Sequence, residues 1–122
     1  MDAPEKITGM SLEWTGHHHS AAGDFQDLST HTLTYVTDTT CFATAGGKLV
    51  GEATYVYRRL DNKVGICIYR PNVWQGRTDV VLNAIFNFQE MTDRAVVTAG
   101  GEPFAVALGR MKSVPLQPKP AS

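Results

Sequence analysis

The 122 residues, 43% of them hydrophobic, suffice for one domain with a real core. A formal charge of −1 and a pI near 6.4 provide no basic face, which excludes a nucleic-acid partner. No apolar run approaches the ~20 residues of a membrane-spanning helix, so no membrane partner is expected either.

The opening MDAPEKITG lacks the basic-then-apolar pattern of a signal peptide, and a cytoplasmic location is expected. The stretch from Gly16 to Ser29 is rich in Gly, His, Ser, Ala and Asp and reads as the longest loop. Its end, AAGDFQDLS, could make one helical turn capped by Asp24. In extended backbone His17 and His19 project to one side, and His31 could complete a three-nitrogen metal site. No carboxylate stands at a fixed metal-ligand spacing, so neither a metal nor another cofactor is expected.

From here to Arg110 the chain is a run of strands: HTLTYV, CFATA, EATYVYRRL, KVGICIYR, TDVVLNAIFNF, AVVTA and PFAVALGR. The turns between them fall at Asp38-Thr39-Thr40, Gly46-Gly47, Asp61-Asn62, Pro71-Asn72 with Gly76, Thr92-Asp93, and Gly100-Gly101. Asp61-Asn62 suits a two-residue hairpin turn with positive φ. His31, Leu33 and Tyr35 share one face of their strand, and Val80, Leu82, Ala84, Phe86 and Phe88 form a uniformly apolar row. Ala53, Tyr55, Tyr57 and Arg59 alternate with Glu52, Thr54, Val56 and Arg58, which leaves open the row that faces inward. Cys41 and Cys67 lie within strands and are expected to be buried free thiols. The proline-rich residues 114–122 cannot join a central strand and are expected to form a flexible tail after a barrel domain of residues 1–113.

Strands at this spacing with no helix between them predict an all-β fold, a single antiparallel barrel of about eight strands. A barrel of that size holds either packed side chains or one small ligand. Tyrosine, arginine and histidine along its strands favour the ligand. Arginine can hold an anionic group in two hydrogen bonds, while tyrosine and histidine can move a proton. The predicted catalytic residues are therefore His31, Tyr55, Tyr57 and Arg58. Ligand contacts are assigned to Tyr35, Glu52, Arg59, Tyr69, Trp74, Phe86 and Phe88. The same residues would also serve as ordinary cross-strand pairs. No nucleophile elbow, phosphate loop, dinucleotide fingerprint or CxxC pair is present.

HTLTYVTDTTCFATAGG, GEATYVYRRLDNKVGICIYRP, Trp74 and VVLNAIFNF together resemble the MoaF-like calycin proteins, over roughly residues 28–100. Trp14-Thr15-Gly16 is reminiscent of the N-terminal tryptophan of lipocalin-type barrels. The resemblance implies a lipocalin-like barrel with one ligand cavity. Phenolic acid decarboxylases are related barrels that work without a cofactor through tyrosines, an arginine and a glutamate. Tyr35, Tyr55, Tyr57, Arg58 and Glu52 supply similar residue types. The resulting expectation is a cofactor-independent lyase or isomerase acting on an aromatic or carbonyl-bearing small molecule. The competing expectation is a non-catalytic carrier or sensor. Homodimerisation is expected if the barrel stays open, because open sheets leave edge strands that seek cover.

Overall fold

A computed structural model describes residues 1–20 and 28–121. Its eight strands are β1 (Ser11–Ser20), β2 (Ser29–Tyr35), β3 (Thr40–Ala45), β4 (Lys48–Arg59), β5 (Val64–Pro71), β6 (Val80–Asn87), β7 (Thr92–Ala99) and β8 (Glu102–Val114). Each pairs antiparallel with its neighbours in sequence, and β1 pairs with β8 to close the barrel. Every strand is therefore paired on both sides, and the edge-strand reason for dimerisation disappears. Among the described residues no helix is long and apolar enough to cross a membrane.

Side-chain alternation sorts the barrel into an interior and an exterior. The buried inward rows run through Leu12 and Trp14 in β1, Tyr55 and Tyr57 in β4, Cys67 and Tyr69 in β5, and Val80, Ala84 and Phe86 in β6. The row of β4 left open by its sequence is thus settled: Tyr55 and Tyr57 point in, while Thr54, Val56 and Arg58 are exposed. Gly46-Gly47 and Gly100-Gly101 make the hairpin turns expected of them, all four at positive φ.

Three expectations need correction. Residues Gly16 to Ser20 are strand rather than loop, held by a ten-residue register against β8 from Ser11↔Val114 to Ser20↔Ala105. The helical turn expected around Asp24 lies outside the described residues. Asp61-Asn62 does not adopt positive φ. Instead the Asp61 carboxylate accepts the amides of Lys63 and Val64 at 2.7 and 2.8 Å and builds the turn at ordinary φ. Finally, the turn placed at Thr92-Asp93 lies earlier. The Asn87 side chain accepts the amides of Gln89 and Glu90, Met91 takes φ 57, and Thr92-Asp93 begin β7.

The two ends of the barrel differ. One is plugged by residues 1–10: Ala3 and Ile7 are buried, and the Gly9 amide donates to the Tyr35 carbonyl at 2.7 Å. Residues 115–121 after β8 have no regular structure, and the Gln117 amide donates to Ser11 Oγ at 3.0 Å. That hydroxyl in turn bonds Thr34 Oγ1 at 2.7 Å. Lys119 forms an ion pair with Glu52. Among the described residues, the opposite end carries the β3–β4, β5–β6 and β7–β8 loops, and there the interior is open.

Candidate functional site, an aromatic cavity ending on a buried carboxyl

The site begins with two glycines. Gly16 and Gly109 are partners across the β1–β8 pairing, and the Trp14 indole lies over both. A Cβ built on Gly109 would come within 2.1 Å of Trp14 Nε1, and one on Gly16 within 2.1 Å of the Leu108 carbonyl. Only glycine permits so close an approach. The indole is 4% exposed, and two imidazoles face it. His31 stands 4.9 Å away between ring centroids and His18 5.1 Å away. Trp74 packs on His18 at 5.5 Å. It is carried by a small turn in the β5–β6 loop in which Gln75 and Gly76 take positive φ and Trp74 and Arg77 exchange backbone hydrogen bonds. Phe104, 6.0 Å from Trp74, braces it, with the Arg77 guanidinium 5.3 Å over the Phe104 ring.

These rings guard a cavity of about 410 Å³. Its walls are chiefly apolar, with Leu33, Ala43, Leu82, Ala84, Ala95 and Ala107 among the lining residues. Tyr69 and Asp93 add polar groups. Tyr69 and Tyr35 share a short hydroxyl–hydroxyl hydrogen bond, with Tyr35 fully buried. Asp93 faces inward from β7, paired in register with Phe86 on one side and Gly109 on the other. It is 9% exposed, and its Oδ1 has no hydrogen-bond partner among the described residues.

Burial sets the proton affinities inside. It pushes the Asp93 carboxyl up to about 7. It draws His31 down to about 4, helped by the neighbouring His18, which burial also lowers. At neutral pH both imidazoles are therefore uncharged, and the Asp93 carboxyl holds its proton far above the ordinary carboxylate range. Burial likewise raises the Tyr35 and Tyr69 hydroxyls well above the ordinary tyrosine range and pushes the Cys41 thiol to about 12. Cys41 and Cys67 are both free and buried.

The structure divides the residues that sequence singled out. His31, Tyr69, Trp74 and Glu52 line the cavity, although Glu52 is exposed and paired with Lys119. Tyr35 lies beneath, behind Tyr69. Phe86 and Phe88 are packed in the core, 5.8 Å apart edge to face. Tyr55, Tyr57, Arg58 and Arg59 sit at the plugged end. There the Tyr57 hydroxyl donates to the Pro4 carbonyl at 2.7 Å, and Arg59 Nε donates to the Ala3 carbonyl at 2.9 Å. The Tyr55 hydroxyl donates to the Thr37 carbonyl, and Arg58 donates to the carbonyl of Tyr57. These four line a separate polar hollow of about 260 Å³ against residues 5–8 and do not meet His31. The visible work of Tyr57 and Arg59 is to fasten the plug.

The histidines divide in the same way. His18 and His31 line the cavity, whereas His17 and His19 have the opposite parity on β1 and face outward. Among the described residues no three His, Cys, Asp or Glu side chains gather as a metal site. Two cavity residues, His18 and Asp93, were missed from sequence. The signal for each was parity: His18 alternates with Leu12, Trp14 and Gly16, and Asp93 with Ala95, Val97 and Ala99.

Comparison with known proteins finds no matching family model, curated protein or solved structure.

Proposed function

We propose that this protein is a small-molecule-binding barrel. Its ligand enters the unplugged end, stacks against Trp14 beside the two imidazoles, and buries its body against the aliphatic wall of β6 to β8. One observation carries the reading: a cavity of about 410 Å³ whose lining, among the described residues, is mainly apolar and includes one deeply buried carboxyl. That volume falls within the ~300–1,000 Å³ typical of small-molecule sites, and so does the pattern of apolar walls with few polar anchors. Eight strands in up-and-down order around a one-ended cavity also support the calycin kinship. Two free thiols are consistent with a reducing, cytoplasmic setting.

Native mass spectrometry of freshly purified protein, with uptake of an environment-sensitive dye followed in parallel, tests the proposal. A co-purified organic mass, or a dye taken up at one site and lost in Trp14→Ala, is the expected result. A clean mass with no dye uptake would overturn it.

A second reading, a cofactor-independent lyase or isomerase, is favoured by one observation. The cavity holds a carboxyl that titrates near neutrality together with an imidazole kept uncharged. Such groups suit a proton donor and a proton acceptor. Turnover of the identified ligand that is lost in both Asp93→Asn and His31→Asn, with affinity retained, would establish it. Turnover indifferent to both substitutions would refute it.

A further inference from the structure

We infer that the ligand is an amine, whose ammonium group lies against the Asp93 carboxyl with its apolar body in the aromatic and aliphatic part of the cavity. This rests on the binding reading above and specifies the chemistry of the same site.

Charge is the first argument. Among the described residues Asp93 is the one carboxyl in the buried part of the cavity, and one of its oxygens has no hydrogen-bond partner there. A buried acceptor without a donor costs the fold free energy that a ligand donor would return. No lysine or arginine is among the residues lining the cavity. The arginines once assigned to an anionic ligand are held at the plugged end by the backbone of Ala3 and Tyr57. A carboxylate or phosphate ligand would bring a second negative charge to Asp93 with no cation to offset either. An ammonium brings the opposite charge and several N–H donors.

Shape is the second argument. Asp93 is paired in register with Gly109, the residue over which the Trp14 indole lies. The carboxyl and the indole are therefore neighbours of the same glycine in the cavity wall, and Tyr69 also lines the cavity. Aromatic faces around a carboxylate are suited to a cation, which gains from both.

The titratable groups around Asp93 are the Tyr35 and Tyr69 hydroxyls and the Cys67 thiol, with the Cys41 thiol, the His18 and His31 imidazoles and the exposed, Lys119-paired Glu52 in the same cavity. Burial keeps the hydroxyls, thiols and imidazoles uncharged at neutral pH, so among these buried described groups Asp93 is the one that changes charge there. An ammonium selects its ionised form, and amine affinity is expected to rise with pH through the titration of the free carboxyl and then level off.

The test uses the full chain and three probes of one skeleton: phenylbutylamine, phenylbutanol and phenylbutyrate. Binding is read by isothermal titration and by the fluorescence of Trp14 and Trp74, for the parent protein and for Asp93→Asn. The amine is expected to bind at least ~10-fold tighter than the alcohol at about pH 8, with the butyrate weakest. Asp93→Asn should cost the amine about 10-fold or more while leaving the alcohol within about 3-fold. A melting temperature no lower than the parent's, or a repeat with Asp93→Leu, separates lost affinity from lost folding. An alcohol that binds as well as the amine, or an amine indifferent to Asp93→Asn, overturns the inference and leaves the binding reading standing. So does uptake of the dye with none of the three probes bound. Failure of dye and probes alike overturns both.

Discussion

Replacing Asp93 with asparagine is expected to stabilise the barrel by an amount that depends on pH. Burial lifts the carboxyl from an ordinary 3.8 to about 7, while the unfolded chain keeps the ordinary value. Between those limits the folded state holds more protons than the unfolded one. Stability contributed by the protonated carboxyl is therefore lost as pH rises from about 4 to about 7, and the loss is complete above that. At about 1.4 kcal/mol per tenfold change in proton affinity, the full penalty is at most roughly 4 kcal/mol. His31 acts in the opposite direction. Held at about 4 in the fold against 6.5 outside it, it resists protonation, and its contribution makes the barrel more stable as pH rises from about 4 to 6.5. In the parent protein the two largely cancel over the acid range. In Asp93→Asn only the histidine contribution remains, so stability should climb through that range. Urea unfolding of both proteins from about pH 4.5 to 8.5 measures this. The variant should match its parent at the acid end and exceed it by a few kcal/mol at the alkaline end, since the buried ionised carboxyl is gone. A difference independent of pH, or none, would show that Asp93 is not desolvated and would refute the reasoning.

Three further outcomes follow from the packing. Gly109→Ala should cost about 1–3 kcal/mol in chemical denaturation because its methyl would displace the Trp14 indole, whereas Gly51→Ala, with open space around its Cβ, should stay within about 0.5 kcal/mol. Tyr69→Phe strands the fully buried Tyr35 hydroxyl and should cost about 1–3 kcal/mol. Tyr55→Phe, which removes a partly buried bond to a carbonyl, should cost nearer 1 kcal/mol by the same assay. Iodoacetamide at about pH 8 should label neither Cys41 nor Cys67 until the protein is denatured, because burial disfavours both thiolates; native labelling of Cys41 would contradict this.

The barrel was legible because period-two alternation survives in most of its strands. The row from Val80 to Phe88 and the glycine-pair turns were read as the structure has them. β1 was hidden because Gly16 and three consecutive histidines look like loop composition. In the fold Gly16 makes room for an indole, and the histidines alternate between cavity and exterior. Asp93 was hidden because the turn was placed at Thr92-Asp93 rather than at residues 88–91; that turn is built by the Asn87 side chain, which local composition does not distinguish from Thr92-Asp93. The Tyr–Arg group was visible as a set but not in its role. Tyr57 and Arg59 find their partners in the backbone carbonyls of Pro4 and Ala3, more than 50 residues away along the chain, in a segment with no periodic pattern.

The closing seam also bears on how the molecule folds. Seven of its eight strand pairings join consecutive strands, and only β1 with β8 spans nearly the whole chain. Local hairpins form with little loop entropy to overcome, so the long-range seam is the slow element of an otherwise local topology. Trp14 and Gly109 belong to opposite sides of that seam, and the binding site comes into being only when it zips. A saturating ligand is thus expected to slow unfolding while leaving the folding limb of the chevron unchanged, making it a brake on opening rather than a template for assembly.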